Sequence, residues 1–200
     1  MNTKDHRRKF GILAIFVLLM LACALPGLIP LTPQPKMEKD TEAVLEVLQG
    51  DDWRPLRSLA EEQYTQDDFA KPGVLDFTVR IADNIPTYFS YGWCTKDAET
   101  LRQNIEHIEV GLYLNGDKLG SDVVHDLSFS LTDGQQCLDS GVLILEWPAG
   151  EYQLKAIATF DEQINDGFSD YAAGDYVFEY NVTVDEAGSR EGVFKTYVIR

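Results

Sequence analysis

The sequence predicts a mainly β protein, an antiparallel sandwich of seven or eight strands entered through a short helical lead-in. Three observations predict it. Four segments alternate apolar and polar residues with a period of two, turn-forming residues punctuate them at short spacing, and the longer helical patterns lie before residue 74.

The elements follow in chain order. PGLIPLTPQPK, with four prolines in eleven residues, is a semi-rigid extended spacer, assigned to residues 26–37. Residues 38–73 form the helical lead-in. Thr41 caps a first helix that turns Val44, Leu45 and Leu48 to one face before Gly50 ends it, and a second helix starts at Asp52, with Pro55 in its first turn and Leu56, Leu59 and Ala60 inward. From 74 to 200 the period is twofold. Leu75, Phe77, Val79 and Ile81 alternate with polar residues; so do Ile108, Val110, Leu112 and Leu114, before the hairpin dipeptide Asn115-Gly116. Tyr152 to Phe160 and Tyr176 to Val184 repeat the pattern, and TYFSYGWC, DLSFSL, GVLILEW and the terminal VFKTYVI are weaker strands. DAETLRQNIE supplies one or two helical turns between them.

Residues 1–25 are an export or anchor segment. Lys4, Arg7, Arg8 and Lys9 precede an uncharged apolar run from Phe10 to Leu25, which Pro26 ends. Its length lies between a cleaved signal core and a membrane-spanning helix. Met20-Leu21-Ala22-Cys23 resembles the lipobox of bacterial lipoproteins, and that resemblance implies lipid on Cys23. Ala22 and Ala24 also form a site for ordinary cleavage after Ala24, which would secrete the chain, and without cleavage the run is an N-terminal helical anchor. Every fate places the domain outside the cytoplasm, with lipidation preferred. If Cys23 is lipidated or removed, Cys94 and Cys137 remain as an even pair in an oxidising compartment, where a disulfide between them is worth about 4 kcal/mol in the chain-entropy model.

WPAGEYQLKAIATFDEQINDG, followed by GDYVFEYNVTV, resembles the late strands of bacterial immunoglobulin-like extracellular modules. Trp93 beside Cys94 is similar to the Cys and Trp packing of antibody domains, in a different order and at shorter spacing. The resemblance implies an Ig-like sandwich and leaves function open.

Charge excludes one class of partner. The chain carries -16, and its N-terminal cations make the remainder more acidic still, so nucleic acid and anionic headgroups are repelled. No G-x-S-x-G, H-E-x-x-H or P-loop occurs, and the histidines are His6, His107 and His125. A Cys/His dyad is conceivable, but a disulfide accounts for the same cysteines more simply. No catalytic residue is assigned. One acidic cluster, Asp161, Glu162, Asp166, Asp170 and Asp175, falls in one loop between two strands; it is either solvated surface or a weak Ca²⁺ site, the one cofactor considered. Asn181-Val182-Thr183 matches a glycosylation acceptor but lies within a strand.

The function expected is a non-catalytic binding or interaction module of the bacterial envelope, held to the membrane by lipid or helix, with an envelope protein or a glycan as partner. The rivals are an extracytoplasmic enzyme with a dispersed carboxylate site and a structural module of a surface assembly.

Overall fold

The alternating segments form two sheets that share one core. The computed structural model describes residues 33–60 and 64–187. The chain divides into two compact units, Met1–Thr32 and Pro33–Arg200, and everything described belongs to the second. The lipobox-like Cys23 and the terminal VFKTYVI lie outside the described residues.

The first sheet contains β1 (Lys36–Met37), β2 (Arg54–Pro55), β4 (Thr87–Thr95), β7 (His125–Ser130) and β8 (Gln136–Glu146). Its order is β1-β8-β4-β2, with β7 also pairing β8. The second sheet, in the order β3-β12-β9-β5-β6, contains β3 (Gly73–Ala82), β5 (Ile108–Leu114), β6 (Asp117–Lys118), β9 (Gly150–Phe160) and β12 (Gly174–Asp185). A separate hairpin joins β10 (Ile164–Asn165) to β11 (Asp170–Tyr171). The core runs between the sheets, from Phe89, Trp93, Val142 and Ile144 on one to Leu154, Ala156, Phe160, Tyr180 and Val182 on the other. Burying one face of each strand is what the period of two encodes.

The sheets are mixed, which corrects the antiparallel expectation. β3 pairs with β12 in parallel along its whole length, Gly73 opposite Tyr176 and Ala82 opposite Asp185, and β2 pairs with β4 in parallel. A period of two fixes which side chains share a face and carries no strand direction. Asn115 (φ 51°) and Gly116 (φ 90°) make the two-residue β5–β6 turn, whose positive φ at both positions suits strand twist.

Helix α1 (Thr41–Gln49) covers part of the outer face of the first sheet. Asp40 is its cap, accepting from the Ala43 N–H at 2.9 Å, so Thr41 is the first helical residue and not the cap. Thr41 instead meets His125, whose Nδ1 lies 2.9 Å from its hydroxyl. Val44 is fully buried against Tyr88 and Leu143, with Val47 and Leu48 beside it, whereas Leu45, predicted inward, is 41% exposed. Under this face the chain passes close to itself: a Cβ at Gly141 would fall 2.3 Å from the Tyr88 ring, so only glycine fits.

The second predicted helix does not form. The Arg54 N–H donates to the Pro86 carbonyl at 3.0 Å and draws the segment beside β4 as β2, leaving a 3₁₀ turn at Leu56–Leu59. Leu56, Leu59 and Ala60 still face the core as predicted. With helix α2 (Gln66–Phe69) this turn closes one side of the sandwich: Ala60 bridges Val79, the Tyr64 hydroxyl donates to the Asp76 carbonyl, and the Arg57 guanidinium lies 3.9 Å above the Phe69 ring. Among the described residues the opposite side, between β5 and β7, has no such closure.

Candidate binding cleft

β7 borders a gap between the two sheets. Val142 and Ile144 of β8 point into the shared core, so Leu138 and Ser140, two and four residues earlier, face the same way. The β7 residues opposite Ser140 and Leu138 are Asp126 and Ser128. Polar side chains therefore occupy the inner face of β7, while its apolar residues point outward: Leu127 packs beneath α1 and Phe129 is exposed. Polar groups on this edge do not exchange water for contact with β5, and the sheets separate into a cleft of about 410 Å³.

The floor is apolar and aromatic: Tyr91 and Trp93 from β4, Leu138 from β8, and Ile108, Val110 and Leu112 from β5. The connection through Leu119 and Val124 closes one end, and Ile105, which follows α3 (Ala98–Asn104), stands at the other. The charged groups lining it are Glu109, Lys118 and Asp126. Lys118 Nζ lies 3.7 Å from Glu109 Oε1, and the Ser140 hydroxyl donates to Asp126 at 2.5 Å. Trp93 is only 8% exposed, yet its indole N–H has no hydrogen-bond partner among the described residues. Its ring stands edge-on to Phe160 and Tyr171, with centroids 5.2 and 4.8 Å away. Burial, with Tyr176 and Tyr171 adding to it, holds the Tyr91 hydroxyl far above the usual phenol range, so it stays protonated. Such a cleft can accept an apolar group and offer donors to a carbonyl that enters with it.

The residues singled out in the sequence lie elsewhere. Cys94 and Cys137 are bonded to each other and sit directly opposite in the β4–β8 register, with Cα atoms 4.1 Å apart. The bond thus joins neighbouring strands of one sheet. Among the described residues no thiol is left for a dyad; His107 is committed to Asp161 at 2.9 Å and Glu162 at 3.4 Å, and His125 to Thr41 and the Glu38 carbonyl. The hydrogen bond to Asp161 raises the His107 pKa above its ordinary value.

The five carboxylates of the acidic loop are not brought together. Asp161 faces His107, Asp170 accepts from Asn165 Nδ2, and Asp175 accepts from the Thr159 hydroxyl across to β9. Asp166 turns inward and accepts from the Phe168 and Ser169 N–H groups, each at 2.7 Å, and from the Tyr171 hydroxyl at 3.1 Å. Among the described residues no three His, Cys, Asp or Glu side chains are grouped to hold a metal ion. Asn181 lies in β12 between Gln153 of β9 and Thr78 of β3.

The cleft itself is absent from the sequence reading. Its signal was the phase of DLSFSL, whose apolar residues point away from the core; alternation alone does not say which phase faces in.

No family model matches the chain, and no curated protein does. Among solved structures, a chain in the structure of PbICP-C in complex with falcipain-2 is similar at 10% identity and a TM-score of 0.34, over 58% of this chain and 92% of that one. The cysteine protease inhibitor EhICP2 from Entamoeba histolytica is similar at 8% identity and a TM-score of 0.27, over 68% of this chain and 100% of that one. Likenesses of this degree are too slight to assign a fold family or a function.

Proposed function

We propose that the chain is a membrane-tethered, extracytoplasmic module of the bacterial envelope that works by binding and not by catalysis, with the cleft between β5 and β7 as its site. The cleft's composition carries the reading. Its floor is apolar, and its charged residues are two carboxylates and one lysine, with Lys118 and Glu109 facing each other at the rim. That lining provides burial and donors to a ligand; the Ser140 hydroxyl donates to Asp126, but among the described residues no histidine lines the cleft to complete a nucleophile-base-orienter set. The export signal, the proline spacer and the disulfide support the location. The immunoglobulin-like reading of the sandwich belongs to the same proposal, supported by two facing sheets around one core.

Capped single amino acids test the site. With methyl-labelled full-length chain in phosphatidylcholine nanodiscs, N-acetyl-leucinamide and N-acetyl-phenylalaninamide are expected to shift the Val110, Leu112, Val124 and Leu138 methyl signals saturably. Leu138→Trp, which fills the floor, is expected to abolish the shifts. Shifts that survive this substitution, or none in the parent chain, would reject the cleft as the site.

A further inference from the structure

Building on that reading of the cleft, we infer that its occupant is an extended polypeptide segment alternating apolar with basic residues, which adds as a strand to the free edge of β5. β5 pairs with β9 along Ile108–Leu114, but on its other side only Tyr113 and Leu114 pair with β6. The phase of the edge follows from two hydrogen bonds. The Leu119 N–H donates to the Leu112 carbonyl at 2.8 Å on the β6 side, whereas the Asp161 N–H donates to the His107 carbonyl on the β9 side. Residues two apart in an antiparallel strand direct their backbone groups to the same neighbour. Val110 N–H and C=O and the Ile108 C=O therefore point where Leu112 points, and among the described residues no strand pairs with them there.

Edges of this kind are usually blunted by proline, lysine or a covering segment. The β3 edge has such a cover at Ala60 and Tyr64; the stretch Ile108–Gly111 contains neither proline nor lysine and borders the cleft.

The site also sets the pattern of the added strand. A residue opposite Val110 projects to the same face as Val110, over Tyr91 and Trp93, where apolar burial is available. A residue opposite Glu109 projects to the face of Glu109, which is exposed and has Lys118 only at 3.7 Å. A cation suits that position. Asp126 at the mouth and the chain's charge of -16 favour the same sign at longer range. Backbone pairing with alternate side chains in a pocket is a known mode of peptide recognition.

The test uses full-length chain in phosphatidylcholine nanodiscs and three nine-residue capped peptides: one alternating valine with lysine, its glutamate counterpart, and the lysine peptide N-methylated along its pairing edge. Calorimetry is expected to show saturable binding of the lysine peptide. The glutamate and N-methylated peptides are each expected to bind at least tenfold more weakly. The Val110 amide is expected to exchange at least tenfold more slowly in the complex, and Glu109→Gln with Asp126→Asn to weaken lysine-peptide binding severalfold. Equal binding of the N-methylated peptide, or an unchanged Val110 exchange rate, overturns strand addition. Equal binding of the glutamate peptide overturns the basic pattern. If capped single amino acids shift the cleft methyls but no peptide protects Val110, strand addition fails and the cleft stands; if neither acts, both fail.

Discussion

Asp139 carries a polar cost that the fold does not offset. It lies on the outer face of the first sheet, where Oδ2 accepts from the Ser90 hydroxyl at 3.2 Å and Oδ1 has no partner among the described residues. Burial pushes its carboxyl above the ordinary carboxylate range, against the smaller opposing pull of the Ser90 hydrogen bond. A folded-state pKa above the unfolded one means that the native chain binds this proton more readily. The associated stability is fully present below the unfolded pKa and is lost as pH rises through the folded one. Above its folded pKa the ionised Asp139 is therefore a net cost, and the nearby Tyr88 hydroxyl, likewise without a partner among the described residues, does not relieve it. Asp139→Asn is expected to stabilise the protein at pH 7 by on the order of 1 kcal/mol, with a smaller gain near about pH 4. Urea melts at the two pH values check it; equal gains would show that charge is not the cause.

At the scale of elements, the acidic segment between β9 and β12 shows what sequence reading can and cannot reach. Five carboxylates within fifteen residues look like one feature, yet Asp161 and Glu162 share His107 while Asp170 and Asp175 have partners of their own, which leaves Asp166 organising the turn of the β10–β11 hairpin. Its backbone ties the hairpin to the start of α3: the Lys96 N–H donates to the Asp166 carbonyl at 2.8 Å. Asp166→Ala would strand two N–H groups and the Tyr171 hydroxyl, and is expected to cost about 1–3 kcal/mol. Because that role is structural, melting temperatures in Ca²⁺ and in EDTA are expected to agree for both the parent chain and the variant. A Ca²⁺-dependent rise in the parent that Asp166→Ala removes would instead restore the cation site. The long strands were legible because Phe77, Val79 and Ile81, or Tyr176 to Val184, each bury one face and leave a twofold trace. The parallel partnership of β3 and β12 was not, since two such traces pair equally well in either direction. The second helix failed for a similar reason: Pro55 fits the first turn of a helix and an edge strand alike, and the choice rests on the Pro86 carbonyl across the sheet. Leu45 shows the limit within an element, because α1 needs only a narrow stripe against the sheet.

For the whole molecule, charge and the proposed attachment act against each other. At -16, the chain is repelled by anionic headgroups, so electrostatic adsorption does not account for a stable place at the membrane. Among the described residues no helix is long and apolar enough to cross a membrane. In the proposed tethering, retention comes from the apolar run before the spacer, as lipid on Cys23 or as an uncleaved helix, and substitution at Cys23 separates the two. A lipid or helix anchor resists high salt, whereas adsorbed protein is released as the interaction is screened. Under the lipoprotein reading, native membranes are expected to yield a product lacking residues 1–22 and carrying a diacylglyceryl mass on Cys23. Cys23→Ser is expected to abolish that processing and to leave the precursor at full length. Mass spectrometry of the parent and the variant decides it. Full-length parent chain in the membrane identifies the helical anchor, and parent protein cut after Ala24 and found outside the membrane identifies secretion. If processing and retention are the same with serine at position 23, the tether does not depend on that thiol and the lipoprotein reading is wrong.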